Sequence, residues 1–115
     1  MSATLPKEER LSGKKAIAAL MAAGRWDHTP RLRCCSLKGN GLEYSRIMVS
    51  VPKRAFKRAV KRNLLKRRMR EAFRLQKELI PAGWDLLFVY NSTEVADYAA
   101  ISADMAALLT RIAVR

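Results

Sequence analysis

The fold is decided by the stretch KRAVKRNLLKRRMREAFR, residues 57–74, which has the pattern of an amphipathic helix. At about 100° per residue, apolar side chains recur on one side of such a helix, and cations recur on the other about one turn, ~5.4 Å, apart. The pattern predicts a helix from about Arg54 or Lys57 to Leu79, with its apolar side packed on a sheet. That side comprises Leu64, Leu65, Met69, Ala72, Phe73, Leu75 and Leu79.

Strands are predicted on both sides of this helix. The run WDLLFVYN, residues 84–91, is nearly all apolar, which is typical of a strand covered on both faces. Before the helix, residues 31–38 and 42–51 alternate polar and apolar side chains, as half-buried strands do. The triplet GNG, residues 39–41, predicts a tight hairpin between them, because glycine adopts positive φ at little cost.

Two further helices are predicted towards the ends of the chain. The first covers residues 12–23, with Ser12 as its N-cap and Gly24 as a left-handed residue after its last turn. The last helix begins near Asp97, which is a good capping residue.

These elements define an α+β fold in one small domain, residues 1–115. The order is α-β-β-α-β-α, with helices packed on a three- to four-stranded mixed sheet. Residues 25–30 are predicted to be a connector, and residues 1–10 to form a flexible arm.

Composition limits the class of protein. The chain has 115 residues, half of them apolar, which is enough for one modest core. No stretch reaches the roughly 18–20 apolar residues of a membrane span, and the opening residues lack the layout of a secretory signal, so we expect a cytoplasmic protein without a membrane partner. The adjacent Cys34 and Cys35 are expected to be reduced thiols, one buried and one facing a groove or solvent.

The positive charge indicates a polyanionic partner. The formal charge is +13, and 11 of the 23 Lys and Arg residues lie in residues 53–74 beside a single acid, Glu71. Like charges one turn apart repel, and a merely solvated face would intersperse acids. Phosphate binding is the better interpretation, because counterion release offsets this crowding. Charge alone leaves RNA and DNA open.

The order of residues in the basic helix is more specific than its charge. The helix contains, in sequence, Ala59-Val60, Arg62-Asn63, Lys66-Arg67 and Arg70-Glu71-Ala72-Phe73-Arg74. This ordered set resembles the signature of the bacterial ribonuclease P protein component, and the resemblance covers nearly the whole chain. Further matching positions are Arg10-Leu11, Gly24, Val49-Ser50-Val51, Lys53-Arg54 and Gly83-Trp84-Asp85.

The resemblance implies a small subunit of a ribonucleoprotein endoribonuclease. In that family the RNA subunit holds the catalytic centre and removes the 5′ leader from precursor tRNA, using Mg²⁺ bound mainly by RNA. No catalytic or metal-binding residue is therefore expected in this chain. The expected partners are ribonuclease P RNA and precursor tRNA, with a protein that is monomeric without RNA. The resemblance also implies a left-handed β-α-β crossover and a ribosomal-protein-like fold, although such crossovers are right-handed in most proteins.

Two sets of candidate site residues follow from the charge pattern and the resemblance. The basic helix is implied to contact the catalytic RNA, and a cleft between the first helix and the sheet is implied to hold the leader. The third position of the family's Arg-Asn-Arg motif is Leu64 here, and Ile17, Met21 and Cys35 stand where the family commonly has aromatic residues. The RNA-binding candidates are Lys53, Arg54, Arg58, Arg62, Asn63, Lys66, Arg67, Arg70 and Arg74. The leader-cleft candidates are Ile17, Met21, Arg33, Cys35, Arg46, Met48 and Ser50.

Alternation along residues 42–51 predicts which side of that strand faces the cleft. The side expected to be core carries Ile47, Val49 and Val51. The side expected to face the cleft carries Arg46, Met48 and Ser50.

Other functions are open as alternatives. A general RNA-binding protein of ribosomal type, or a DNA-binding protein without a nuclease role, would also carry a basic helix, although a DNA reader would show a short recognition helix and a dimer interface. A membrane-surface helix is disfavoured, because the sheet claims the apolar side. The single His28 is more typical of an exposed polar residue than of a general base. Trp26, Tyr44 and Tyr90 are candidates for base stacking, with ordinary packing as the alternative.

Overall fold

The sheet has four strands, and helices cover both of its faces. The computed structural model describes residues 5–115. Its strands are β1 (Arg25–His28), β2 (Leu32–Lys38), β3 (Arg46–Ser50) and β4 (Trp84–Tyr90). Its helices are α1 (Lys14–Ala23), α2 (Ala59–Arg74) and α3 (Tyr98–Ala113), with single 3₁₀ turns at Lys7–Glu9 and Lys77–Leu79.

The spatial order of the strands is β1-β2-β4-β3. β3 runs parallel to β4, and the other neighbouring pairs are antiparallel, so the predicted α+β class with a mixed sheet is confirmed. α2 supplies the crossover connection from β3 to β4. The hand of that crossover stays a prediction.

The hairpin predicted around the GNG triplet is wrong, because β4 lies between β2 and β3. Gly39 and Gly41 do turn the chain, at φ values of 86° and 79°. The backbone N–H groups of Gly39 and Asn40, however, both donate to the carbonyl of Gly83 at 2.9 Å. The turn is therefore docked on the entry to β4 and does not close a two-stranded ladder.

The segment predicted as a connector contributes the fourth strand. β1 pairs antiparallel with β2, with Arg25 opposite Ser36 and His28 opposite Arg33. Its sequence, RWDH, shows no apolar alternation, so only the pairing reveals it as a strand.

α2 is shorter than predicted at both ends. It begins at Ala59, because the preceding chain turns where the N–H groups of Ala55 and Phe56 donate to the carbonyl of Pro52. It ends at Arg74, so the two leucines beyond it leave the apolar side. The exposed pair is Leu75 and Leu79, whereas Leu65, Met69, Ala72 and Phe73 are buried as predicted.

α1 begins and ends differently from the prediction. Its N-cap is Gly13 and not Ser12, and no side chain caps it. Gly24 has a φ of −72°, so a left-handed residue there is wrong. Space, not φ, demands glycine, because a Cβ on Gly24 would lie 2.4 Å from Cys35 Sγ and 2.5 Å from the carbonyl oxygen of Leu20.

The sheet separates two apolar cores. The larger core lies between the sheet and the pair α2 and α3, and β4 is buried along nearly its whole length, as predicted. Asp97 caps α3 as predicted, because its carboxylate accepts from the N–H of Ala100 at 2.9 Å. The smaller core, beneath α1, is built on Leu11, Leu20, Cys35 and Leu87.

Residues 5–10 pack against the body of the protein, which corrects the expected arm over this part of the chain. Leu5 is buried in the larger core, and Arg10 forms a parallel bridge with Ile47. The N–H of Leu11 then donates to the carbonyl of Ile47 at 2.6 Å. The rest of the expected arm, residues 1–4, lies outside the described residues. Among residues 5–115, no helix is long and apolar enough to cross a membrane.

Candidate nucleic-acid interface

The solvent side of α2 gathers predicted RNA-binding residues into one surface, here named the α2 face and defined by Asn63, Lys66, Arg67 and Arg70. A cavity of about 440 Å³ opens on it. The cations of this cavity form no ion pair within the described part of the chain, so they concentrate free positive charge. The cavity is lined by Leu5, Arg10, Asn63, Lys66, Arg67, Arg70 and Glu71.

Arg10 and Arg70 both line this cavity, and the positive charge of Arg10 acts on Arg70. Burial, and then the charge of Arg10, lowers the pKa of Arg70. The Arg70 guanidinium remains charged near neutral pH, because arginine titrates far above it. An anion in the cavity would relieve the repulsion and accept charge-assisted hydrogen bonds from both groups.

Of the predicted RNA-binding arginines of α2, two are engaged by the protein itself. Arg62 donates from Nη1 to the carbonyl oxygens of Phe56 and Lys57, at 2.7 and 2.8 Å, and thereby secures the turn before the helix. Arg74 donates from Nε to the Glu71 carboxylate at 2.9 Å, and this hydrogen bond lowers the pKa of Glu71. Of the predicted RNA-binding set, Arg62 and Arg74 therefore also serve the fold.

The N-terminal end of α2 is cationic as well. Arg58 is the N-cap, no side chain caps the helix, and the first turn contains no acid. Lys53, Arg54 and Arg58 are all exposed. Cations are unfavourable at this end, because a helix N-terminus carries partial positive charge. A phosphate meeting this end would offset both contributions.

The opposite face of the sheet, partly covered by α1, holds the leader-cleft candidates. Ile17 and Met48 pack into the smaller core around Cys35. The expectation that one thiol lines an open groove is wrong, because α1 covers Cys35, whose Sγ donates to the carbonyl of Leu20 at 3.5 Å. Cys34 is also buried; both thiols are free, and burial raises the pKa of each.

The predicted alternation of β3 is confirmed. Ile47 and Val49 are buried in the larger core, whereas Arg46 and Ser50 lie half-buried on the opposite side. The guanidinium of Arg46 is engaged within the fold, because its Nε and Nη2 donate to the carboxylate of Asp85 at 2.9 and 2.8 Å. This pairing raises the pKa of Arg46 and leaves less of the side chain available to a ligand.

Beyond α1, part of this face is uncovered. The register sets His28 opposite Arg33, Arg33 opposite Val89, and Val89 opposite Ser50. The guanidinium of Arg33 lies 4.5 Å from the centroid of the Trp26 ring, a cation–π contact between two exposed side chains. We name this surface the open sheet face and define it by Trp26, His28, Arg33, Ser50 and Val89. Of the α1 candidates, Met21 is exposed.

The three aromatic candidates for stacking occupy different environments. Trp26 lies on the open sheet face, 41% exposed. Tyr90 is buried against Phe56, and its hydroxyl donates to a backbone carbonyl, so base stacking by Tyr90 is wrong. Tyr44 lines a cavity beside Glu43 and Glu78, which gives it acidic surroundings.

Two contributors to these surfaces escaped the sequence reasoning. The sequence places Arg10 in the expected flexible arm. Its only signal of a functional role is its place in the Arg10-Leu11 pair, which matches the family. His28 was expected in a loop, because β1 was not recognised. Within the described residues, no group of three or more His, Cys, Asp or Glu side chains is arranged to hold a metal ion.

Comparison with known proteins identifies the family. A family model described as Ribonuclease P matches residues 5–113, and the chain belongs to this family. Its relatives are named ribonuclease P protein component, a part of an endoribonuclease. That of Porphyromonas gingivalis is 36% identical over 121 residues, covering 95% of this chain and 86% of the relative. That of Thermotoga petrophila is 41% identical over 80 residues, covering 65% and 68%.

Solved structures give the same result. The ribonuclease P protein of Thermotoga maritima superposes with a TM-score of 0.78 at 28% identity, covering 90% of this chain and 96% of that one. The ribonuclease P protein of Staphylococcus aureus has a TM-score of 0.79 at 20% identity, covering 90% and 94%, which shows likeness of fold. The resemblance identified in the basic helix is therefore confirmed.

Proposed function

We propose that this chain is the protein subunit of a ribonuclease P and acts by electrostatics and positioning. In this proposal the α2 face binds the catalytic RNA, and the open sheet face binds the 5′ leader of precursor tRNA, so that the protein assists endonucleolytic removal of the leader. The observation that carries the proposal is the set of cations on α2 that have no ion-pair partner among residues 5–115, in a chain of this family.

The α2 face suits a folded RNA. Arg10, Lys66, Arg67 and Arg70 converge on one cavity, and Asn63 adds an amide that both donates and accepts hydrogen bonds. Each phosphate neutralised releases condensed counterions, which offsets the cost of holding like charges together. RNA binding through this face should therefore weaken steeply with salt.

The open sheet face suits a single strand. The Trp26 ring offers a stacking platform, and base–aromatic stacking contributes about 1–3 kcal/mol per base. Arg33 holds a cation against that ring, within reach of the backbone of the same strand. An extended leader fits such a surface better than a closed duplex does, because only unpaired bases expose both faces for stacking.

The proposal assigns chemistry to the RNA and support to the protein. RNA phosphate oxygens are the hard ligands that Mg²⁺ prefers, so the ion is placed on the RNA. The cations of α2 would screen phosphate repulsion in the RNA and lower the Mg²⁺ concentration that its folding requires. The protein is proposed to act in the cytoplasm and to be monomeric without RNA.

A binding experiment tests the open sheet face. The holoenzyme is assembled with a bacterial ribonuclease P RNA, and its affinities for precursor and mature tRNA are compared. Trp26→Ala should reduce the preference for precursor about tenfold, which corresponds to ~1.4 kcal/mol. Val114→Ala, at an exposed site of the α3 end, is the control and should keep the preference. An unchanged preference in Trp26→Ala would show that the leader does not bind the open sheet face.

A further inference from the structure

A second pocket lies beside the α2 face, where α2 packs against the start of α3. Four of its residues have the spacing i, i+3, i+4, i+7 and therefore lie on one side of α2. The fifth is the first residue of α3. Its volume is about 330 Å³, and we name it the Tyr98 pocket, defined by Leu64, Arg67, Arg68, Glu71 and Tyr98.

Leu64 and Tyr98 give this pocket apolar walls. Both residues are half-buried, so part of each side chain is in contact with solvent. Tyr98 also packs against the larger core, which restrains its ring. A flat ligand that covers a restrained aromatic ring gains apolar burial and a stacking contact.

Two guanidinium side chains complete the lining. Arg67 is exposed, whereas Arg68 donates from Nη1 to the carbonyl of Ala96 at 2.6 Å. That hydrogen bond fixes Arg68 without neutralising its charge, and neither arginine has an ion-pair partner among residues 5–115. Glu71 also lines the pocket, but its carboxylate accepts from Arg74 Nε at 2.9 Å. The Tyr98 pocket therefore combines apolar walls with positive charge.

This combination indicates a flat ligand with hydrogen-bond acceptors at its edge. A phosphate alone would leave Leu64 and Tyr98 without a contact, and an apolar side chain would cover the guanidinium groups without accepting from them. A nucleobase meets both requirements, because its faces stack on aromatic rings and on arginine, and its edge accepts hydrogen bonds. The base must be unpaired, since pairing and stacking in a duplex occupy its edge and its faces.

The Tyr98 pocket is continuous with the α2 face. Arg67 and Glu71 line both this pocket and the cavity of about 440 Å³ that opens on the α2 face. Because only these shared side chains separate the two spaces, one nucleotide can place its phosphate in the cavity and its base in the pocket.

We propose that the Tyr98 pocket binds an unpaired nucleobase of the RNA whose phosphates bind the α2 face. This inference rests on the proposed function and extends it. Charge alone attracts any RNA backbone, whereas a base pocket beside the charges favours a position where the strand is bulged or single-stranded.

The test compares two short oligomers that carry the same number of phosphates. One is a uridine tract, and the other has the same ribose-phosphate backbone without bases. Fluorescence anisotropy measures the affinity of each for the isolated protein, and the ratio of the two affinities reports the contribution of the bases. Every protein carries Trp26→Ala, which removes the exposed ring of the open sheet face. This parent should bind the uridine tract roughly fivefold more tightly, at the lower end of what base–aromatic stacking gives.

Two variants of the parent should remove this ratio in different ways. Tyr98→Ala should bring the ratio close to one and keep the affinity for the base-free oligomer. Leu64→Lys should also lower the ratio, yet it should bind the base-free oligomer more tightly, because a cation replaces an apolar wall. A variant that is merely destabilised would lose affinity for both oligomers. The matched control, Leu79→Ala, removes an exposed leucine outside the named surfaces and should keep the ratio.

Lys66→Gln separates this inference from the proposed function. Lys66 lines the cavity on the α2 face but not the Tyr98 pocket, so its loss should weaken both oligomers equally and keep the ratio. If Lys66→Gln weakens binding but the parent ratio is one, or if Tyr98→Ala keeps the ratio, the base pocket is wrong and the α2 face stands. If Lys66→Gln changes neither affinity, the α2 face does not bind RNA and both proposals fall.

Discussion

Arg46 lies directly opposite Asp85 in the parallel β3–β4 ladder, and the two side chains close a two-bonded ion pair. Asn40 joins them from the GNG turn, because its Nδ2 donates to Asp85 Oδ1 at 3.0 Å and to the carbonyl of Trp84 at 3.3 Å. One carboxylate therefore connects the turn after β2, the start of β3 and the start of β4. This network joins β2 and β3 through β4, in place of the predicted hairpin that would have paired them directly.

Breaking the Arg46 pair should destabilise the fold. Arg46→Met leaves the buried Asp85 carboxylate without its cation, and we expect a loss of about 2–3 kcal/mol, between the values of exposed and fully buried pairs. Urea unfolding measures it. Lys15→Met, at an exposed residue without an ion pair in residues 5–115, is the control and should change stability by less than ~0.5 kcal/mol. Equal stabilities of the two variants would contradict the role of the network.

Adding one methyl group at Gly24 should disturb the smaller core. The new Cβ of Gly24→Ala would press on Cys35 Sγ and on the backbone oxygen of Leu20, and only one of these atoms belongs to a side chain. We expect a loss of roughly 1–3 kcal/mol in thermal or urea unfolding, as overpacking usually gives. Ala22→Ser on the exposed side of α1 should be close to neutral. An unchanged stability of Gly24→Ala would mean that α1 can move away from the new methyl group without losing free energy of unfolding.

Arg67 and Arg62 should give different phenotypes although both carry one charge. Arg67→Ala should weaken binding to ribonuclease P RNA, reduce the salt slope by about one unit and leave stability unchanged. Arg62→Ala should show the same binding effect together with a lower unfolding midpoint, because its two bonds to backbone carbonyls are lost. Arg111→Ala on α3 should change neither RNA affinity nor slope. Equal losses of RNA affinity in all three variants would mean that the RNA binds through the overall charge of the protein and not through the α2 face.

Neutralising Glu71 should strengthen RNA binding. Glu71→Gln frees Arg74, so the salt slope should steepen by about 0.7–0.9 units, one more phosphate contact. The pH dependence has a definite sign. Because the pair with Arg74 lowers the pKa of Glu71, its stabilising effect is present above the unfolded pKa and is lost as pH falls through the folded pKa. Wild type should therefore approach the variant's slope only at acidic pH, and a constant difference at every pH would contradict this.

Neither thiol should react readily in the native protein. Cys34 and Cys35 are buried, and burial raises the pKa of each, so little thiolate is available for attack. An aromatic disulfide reagent at pH 8 should label neither thiol rapidly in the folded state and both in guanidinium. Gly24→Ala provides the comparison, because a displaced α1 should speed the labelling of Cys35 over Cys34. Rapid labelling of the native wild type would show that α1 does not seal the smaller core.

Local sequence patterns predicted what short-range physics controls. The apolar side of α2, the alternation of β3 and the Asp97 cap each depend on neighbours within a few residues, and all three are confirmed. The length of α2 was overestimated because Leu75 continues the helical spacing, whereas the chain leaves the helix at Arg74. The spacing of apolar residues shows which side of a helix is buried, but it does not show at which residue the helix ends.

Long-range pairing was beyond these patterns. The GNG triplet has the turn chemistry of a hairpin, yet its N–H groups bond to Gly83, more than forty residues away. β1 has no apolar face of its own, and it forms a strand because its backbone pairs with the edge of β2. Arg46 and Arg62 look like free cations in sequence, but Arg46 pairs with the distant Asp85, and Arg62 donates to carbonyls of the irregular turn before α2. Six of the nine RNA-binding candidates lie on α2 and three lie in the chain before it, and the sequence could not divide them into free and engaged members.

The most direct measurement is cleavage of precursor tRNA by a bacterial ribonuclease P RNA at a Mg²⁺ concentration too low for the RNA alone. The protein should restore cleavage at the correct 5′ position and should cleave nothing by itself. A variant carrying Lys66→Gln and Arg67→Gln should require more Mg²⁺, while Lys15→Gln should match the wild type. A protein that binds the RNA yet restores no cleavage would contradict the subunit role and favour general RNA binding.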